Sequence, residues 1–138
     1  MRIGDFTLKR AALAFSSAVA VLGCAGAAAS AGDPAAGETE FKACRVCHQI
    51  GEGARNFVGP ELNGVYGRPA GIVPGYNYSD AMKHSEIVWD ETTLTKFLHK
   101  PRELVPGTKM AFPGFASDSD IANVIAYLRQ FGPDGKKM

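Results

Sequence analysis

The 138-residue chain predicts an all-α fold in which short helices are joined by long loops. Three observations lead there. Ile121, Val124, Ile125 and Leu128 fall at i, i+3, i+4 and i+7, the single apolar stripe of a helix. Glycine and proline crowd the stretch from Gly51 to Gly75 without any apolar period, so that stretch reads as loop. No convincing strand is found along the chain.

The first 31 residues read as a targeting segment. Arg2, Lys9 and Arg10 give a basic start, Ala11 to Gly23 is an apolar run, and Ala29-Ser30-Ala31 is an A-x-A cleavage site. The expected division is a signal peptide over 1–31 and one small domain over 32–138, with export to the periplasm. Two alternatives stay open. Val21-Leu22-Gly23-Cys24 resembles a lipoprotein signal, which would leave a lipid on Cys24, and the apolar run could remain as an uncleaved anchor. Cleavage after Ala31 would remove Cys24 and leave only Cys44 and Cys47. Of 15 basic and 14 acidic residues, Arg2, Lys9, Arg10 and Asp5 lie in the leader, so the domain is close to neutral. That balance gives no basis for nucleic-acid binding.

In the domain, Asp33-Pro34 reads as an N-cap followed by proline at the first helical position, opening a helix that runs through Phe41. Ser79-Asp80 opens a short helix ending near His84. Asp90 caps the next, with Trp89 and Leu94 at the spacing of a hydrophobic staple. Leu94, Phe97 and Leu98 share one face of that helix, which must stop near Lys100 because Pro101 follows. A short turn is expected around Arg102–Val105. Ser117 caps the last helix, and Gly132-Pro133 is expected to end it.

The most specific chemistry lies in Cys44-Arg45-Val46-Cys47-His48, a C-x-x-C-H sequence that marks covalent haem attachment. Two thiols three positions apart lie on one side of a helical turn, where each can add to one vinyl group of the same porphyrin. The following histidine is carried beneath the ring, within reach of the iron. A zinc site would need about four protein ligands, and no second Cys or His pair stands at ligand spacing. A thioredoxin-like thiol pair would sit in a βαβ pattern, which the chain lacks. For a ligand on the other face the candidates are Met82, Met110, His84, His99 and nearby lysines. Met110 is favoured because it lies in Pro106-Gly107-Thr108-Lys109-Met110, a loop restrained by Pro and Gly and remote in sequence from His48. Met82 fits a core gap-filler.

Further motifs fall in order along the chain: Gly59-Pro60-Glu61-Leu62-Asn63-Gly64, Gly67-Arg68, Gly75-Tyr76-Asn77-Tyr78, Trp89, Pro106–Met110 and Ile125-Ala126-Tyr127-Leu128. With the C-x-x-C-H segment they make residues 32–131 resemble a class I c-type cytochrome of the mitochondrial-like bacterial kind. The resemblance implies a small cytochrome c fold, with crossing N- and C-terminal helices and loops wrapped around one covalently bound haem c. It implies Cys44 and Cys47 as the thioether residues and His48 and Met110 as axial iron ligands. The Pro60 carbonyl would orient His48, and Arg68, Tyr78 and Trp89 would attend the haem propionates. Gly37, Phe41, Tyr127 and Leu128 would form the helix crossing. Two positions depart from the family: Phe97 stands where many relatives carry tyrosine, and Met82 where they often carry asparagine.

Such a site closes both faces of the iron, which suits a one-electron carrier rather than an enzyme and leaves no place for a small-molecule substrate. The expected role is a periplasmic shuttle in a respiratory chain or a similar electron-transport system. Its donor would be a quinol-oxidising membrane complex or a periplasmic dehydrogenase. Its acceptor would be a terminal oxidase, a reaction centre or a comparable protein. Docking is expected to be transient and the chain monomeric. Arg45, Arg55, Lys100, Arg102 and Lys109 form a thin basic patch suited to partner steering. An enzyme or gas sensor with a labile sixth position, and a haem-free thiol or metal module, are the competing classes.

Overall fold

A computed structural model describes residues 31–138; residues 1–30 of the proposed leader, Cys24 among them, lie outside the described residues. Five α-helices follow one another: α1 (Pro34–Glu40), α2 (Asp80–Lys83), α3 (Glu91–His99), α4 (Pro101–Leu104) and α5 (Asp118–Leu128). Among the described residues extended pairing is limited to two isolated bridges, Pro69 with Val88 and Phe131 with Lys137. The all-α prediction holds.

The helix starts are where the sequence places them. The Asp33 carboxylate accepts from the Ala35 N–H at 2.8 Å, with Pro34 at the first position of α1. The Ser79 hydroxyl accepts from the Met82 N–H, and the Ser117 hydroxyl from the Asp120 N–H. At α3 the exchange is reciprocal: the Thr93 N–H donates to Asp90 and the Asp90 N–H donates to Thr93 Oγ1. Each bond satisfies a backbone donor that the first turn leaves unpaired. Trp89 and Leu94 are both buried in the same apolar cluster, as the staple spacing predicts.

After Glu40 the chain tightens into a 3₁₀ turn, Phe41–Ala43, which leads directly into the C-x-x-C-H segment. The turn expected near Arg102 is the one-turn helix α4. The end of α5 needs correction. It stops at Leu128, with Arg129 as C-cap, rather than at Gly132-Pro133. Tight turns then carry the chain round, with the Gln130 N–H donating to Tyr127 O and the Phe131 N–H to Leu128 O. The final residues fold back so that the Met138 N–H reaches Gln130 O.

The principal helix pair is α1 against α5. Gly37 makes it possible, because a Cβ there would overlap the Asn123 carbonyl. The Asp33 N–H also donates to Asn123 Oδ1 at 2.8 Å, tying the start of α1 to the middle of α5. Phe41 and Tyr127 stack across the pair with ring centroids 5.2 Å apart. The stripe of α5 is buried throughout: Ile121, Val124, Ile125 and Leu128 are each no more than 4% exposed. Ile121 and Ile125 lie in the buried apolar cluster, and Val124 and Leu128 also line a cavity.

Candidate functional site

The cavity has a volume of about 390 Å³ and a mainly apolar wall, within the range typical of cofactor pockets. Leu62, Val65, Leu94, Leu98, Val124 and Leu128 line it, together with the rings of Phe41, Trp89 and Phe97. The residues that the sequence assigns to haem attachment, iron ligation, His48 orientation and the propionates all line this one cavity: Cys44, Cys47, His48, Pro60, Arg68, Tyr78, Trp89 and Met110. They come from the segment after the 3₁₀ turn, the Gly59–Arg68 and Tyr76–Ser79 loops, the start of α3 and the loop after α4.

His48 is held by its ring. Nδ1 lies 2.7 Å from the Pro60 carbonyl. A carbonyl can only accept, so Nδ1 carries the proton and Nε2 keeps a free lone pair. Burial pushes the imidazole below its ordinary pKa, against the opposing pull of the Pro60 carbonyl, so the ring is neutral at neutral pH. A neutral imidazole with one nitrogen donating to a carbonyl and the other free is the state a metal ligand needs.

The two cysteines are unbridged and half-buried. Burial, reinforced by the neighbouring Cys47, pushes the Cys44 thiol up to about 11. A reactive redox cysteine needs a lowered pKa, commonly at a helix N-terminus. Here the segment follows a helix, with the Cys47 and His48 N–H groups both donating to Cys44 O. Among the described residues no three His, Cys, Asp or Glu side chains come together as a metal cluster. Among the described residues Cys44 thus lacks the lowered pKa of a redox thiol, and no ligand cluster for zinc is present. The donor set suits an iron porphyrin: two thiols, one neutral imidazole, one thioether, and walls of aliphatic and aromatic carbon.

Met110 reaches the cavity from a loop in which Thr108 Oγ1 accepts the Met110 N–H, Thr108 lines the wall and Lys109 Nζ donates to Asn77 O at 2.8 Å. Met82 is buried at 7% exposure and also lines the cavity. His84 and His99 are exposed and outside it; their Nδ1 atoms meet the carbonyls of Asp80 and Phe115. Trp89 packs on Phe97 with centroids 4.9 Å apart, and burial holds the Tyr78 phenol above its ordinary pKa.

Two features of the site lay beyond the reach of sequence reasoning. Arg68 is gripped from behind by Glu61, its guanidinium donating to Oε1 at 3.1 Å. Gly59 lies against the His48 ring. Glu61 and Gly59 both occur in a motif the sequence displays, but their partners depend on how the loop closes.

Fold and cavity together define a class: a small all-α domain wrapped around one apolar prosthetic-group pocket with a C-x-x-C-H segment in its wall. Comparison with known proteins agrees. The cytochrome c family model matches residues 34–132. The chain is 54% identical over 125 residues to cytochrome c-554 of Methylosinus trichosporium, covering 91% of this chain and 95% of that protein. It is 52% identical to cytochrome c2 of Rhodoblastus acidophilus over 78% of this chain and all of the relative. Among solved structures, cytochrome cH from Methylobacterium extorquens superposes with a TM-score of 0.68 at 45% identity, covering 72% of this chain and 99% of that one. The chain belongs to the cytochrome c family. It is an electron-carrier cytochrome with one covalently bound haem c.

Proposed function

We propose that the chain is exported, is cleaved after Ala31 and works in the periplasm as a His/Met-ligated one-electron carrier. Cys44 and Cys47 would hold the haem through thioether bonds, and His48 and Met110 would ligate the iron axially. Pro60 would orient His48, while Arg68, Tyr78 and Trp89 would attend the propionates. The haem supplies a one-electron ferric/ferrous couple when bound. The observation that carries the reading is the His48 ring: neutral, fixed by the Pro60 carbonyl at 2.7 Å and left with one free nitrogen in the cavity.

Each residue then has a definable task. Met110 offers a soft, neutral sulfur, which favours the reduced iron and raises the potential relative to a second histidine. The aliphatic wall lowers the local dielectric in the same sense. With His48 and Met110 both holding the iron, no place would remain for a substrate and little would rearrange when an electron arrives. Gly32, the first residue after the proposed cleavage site, packs against the Ala122 backbone. No described helix is long and apolar enough to cross a membrane. The proposed partners are membrane redox complexes or periplasmic dehydrogenases that dock transiently on a monomer: a quinol-oxidising complex or dehydrogenase as donor, and a terminal oxidase, a reaction centre or another acceptor.

Visible spectra of the purified protein in both redox states test this. Covalent haem and the weak near-red band of a ferric haem bound through a thioether are expected. Met110→Ala should abolish that band and let the reduced protein bind carbon monoxide. A wild-type protein that binds carbon monoxide readily, or lacks the band, overturns the ligand assignment.

A further inference from the structure

Arg68 reaches the cavity wall with its charge already answered. One guanidinium nitrogen donates to Glu61 Oε1 at 3.1 Å and to Asn63 O at 2.8 Å; the other donates to Glu61 O at 3.0 Å. A guanidinium has five N–H donors, so two remain for whatever the cavity holds. Glu61 is fixed as firmly. Its Oε2 accepts the Asn63 N–H at 2.7 Å and its own N–H donates to Asn56 Oδ1. Asn63 is buried and clamps Gly51 through both ends of its amide. The Arg68 and Glu61 side chains are only 17% and 20% exposed. At that depth a charge is screened far less than at the surface.

We propose that Glu61 is a positioning and charge-compensating residue that sets the reduction potential by offsetting Arg68. The proposal rests on the haem reading above. The oxidised site carries one positive charge more than the reduced site. A carboxylate nearby therefore favours oxidation, and a guanidinium favours reduction. With Glu61 at 3.1 Å the two nearly cancel, so Arg68 can orient an anionic group at the cavity without raising the potential as an unpaired arginine would. The same bonds stop the guanidinium swinging away when the cavity loads.

Equilibrium redox titration of the holoprotein, with soluble mediators as the electron source, tests this. Glu61→Gln keeps an acceptor oxygen and removes the charge, and should raise the midpoint potential. Arg68→Gln should lower it, and the double variant should lie close to wild type. Glu61→Asp keeps the charge with a looser grip and should stay closer to wild type than Glu61→Gln. The near-red band and the thermal midpoint are recorded for each variant, so that a folding defect is recognised as such. A Glu61→Gln potential equal to wild type with the band intact overturns the proposal, as do equal shifts in Glu61→Gln and Glu61→Asp. Loss of the band in the wild type itself would instead overturn the haem ligation on which it rests.

Discussion

Gly59 lies against the face of the His48 imidazole. A Cβ at this position would stand 2.7 Å from Nδ1 and 2.8 Å from Nε2. The backbone there is pinned on both sides: the Gly59 N–H donates to Cys47 O at 2.8 Å and the Gly59 carbonyl accepts from the Phe57 N–H at 2.9 Å. Gly59 is not among the positive-φ glycines, so it is required for space rather than for conformation. Gly59→Ala must therefore tilt the ring or open the loop. Denaturant unfolding of the holoprotein should show a loss of about 1–3 kcal/mol, the usual cost of overpacking, and the near-red band should shift or weaken. Unchanged stability and spectrum would mean that the loop yields freely.

Gly37 has the same role at the α1–α5 crossing. A Cβ there would overlap the Asn123 carbonyl and stand 2.9 Å from Tyr127 Cβ. Backbone cannot rotate out of the way as a side-chain tip can, so relief requires the helices to separate. Separation would also strain the Asp33–Asn123 bond and the Phe41–Tyr127 stack. Gly37→Ala should destabilise the holoprotein by about 3 kcal/mol, at the upper end for an added methyl group. Thermal unfolding measures it directly; a loss below about 1 kcal/mol would show that the crossing is looser than this.

The capping residues were legible because capping is local chemistry. Asp33, Ser79, Asp90 and Ser117 each announce a helix within three residues, and each makes its bond. The positions that meet around the cavity were legible because C-x-x-C-H has one spacing that works and the later motifs follow it in order. The stop of α5 was read too far along the chain, since Gly132 and Pro133 mark a reversal that the backbone begins at Arg129. The hold of Glu61 on Arg68 and the return of the tail were not legible. Gly135 packs against the Gly51 backbone and the Gly64 N–H donates to Phe131 O. Such contacts join distant loops, and loops carry no period from which a partner could be read.

Asp90 links the start of α3 to pH. The Thr93 N–H and then the Thr93 hydroxyl hold its carboxylate below the ordinary range. A carboxylate with a lowered folded pKa contributes stability that is complete above its unfolded pKa. The contribution is lost as pH falls through the folded value. Asp90→Ala should lower the thermal midpoint at neutral pH, and the gap to wild type should narrow as the solution is acidified below the normal carboxylate range. A gap independent of pH would mean that the charge of Asp90 contributes nothing to its cap.

Glu86 is the one non-glycine residue with positive φ among the described residues, at 55°. Its side chain is exposed, and it turns the chain between α2 and the Pro69–Val88 bridge. An L residue in this region carries a steric cost of about 1–2 kcal/mol, part of which glycine returns as unfolded-chain entropy. Glu86→Gly should therefore raise stability by up to about 1 kcal/mol. Destabilisation instead would reveal a contact made by the Glu86 side chain that outweighs the strain.

The basic patch expected to steer partners is partly neutralised in place. Arg45 lies 3.6 Å from Glu38 and Lys100 lies 2.8 Å from Glu103, while Lys109 keeps its charge and donates to the Asn77 carbonyl. The cavity wall near it is apolar and open: Val46 and Val58 line the cavity while 70% and 62% exposed, and neighbouring Phe57 is 62% exposed. Attraction of an anionic partner should therefore be modest. The second-order rate of oxidation by hexacyanoferrate(III) should fall only gently as ionic strength rises. Val46→Lys places a new charge at the cavity. It should raise the rate about two- to threefold at low ionic strength, where screening extends over ~30 Å, and the gain should disappear near 1 M salt, where screening shortens to ~3 Å. A wild-type rate as steep as that of Val46→Lys would show that the paired arginine and lysine still act at a distance; a Val46→Lys rate equal to wild type at every ionic strength would show that the electron leaves elsewhere.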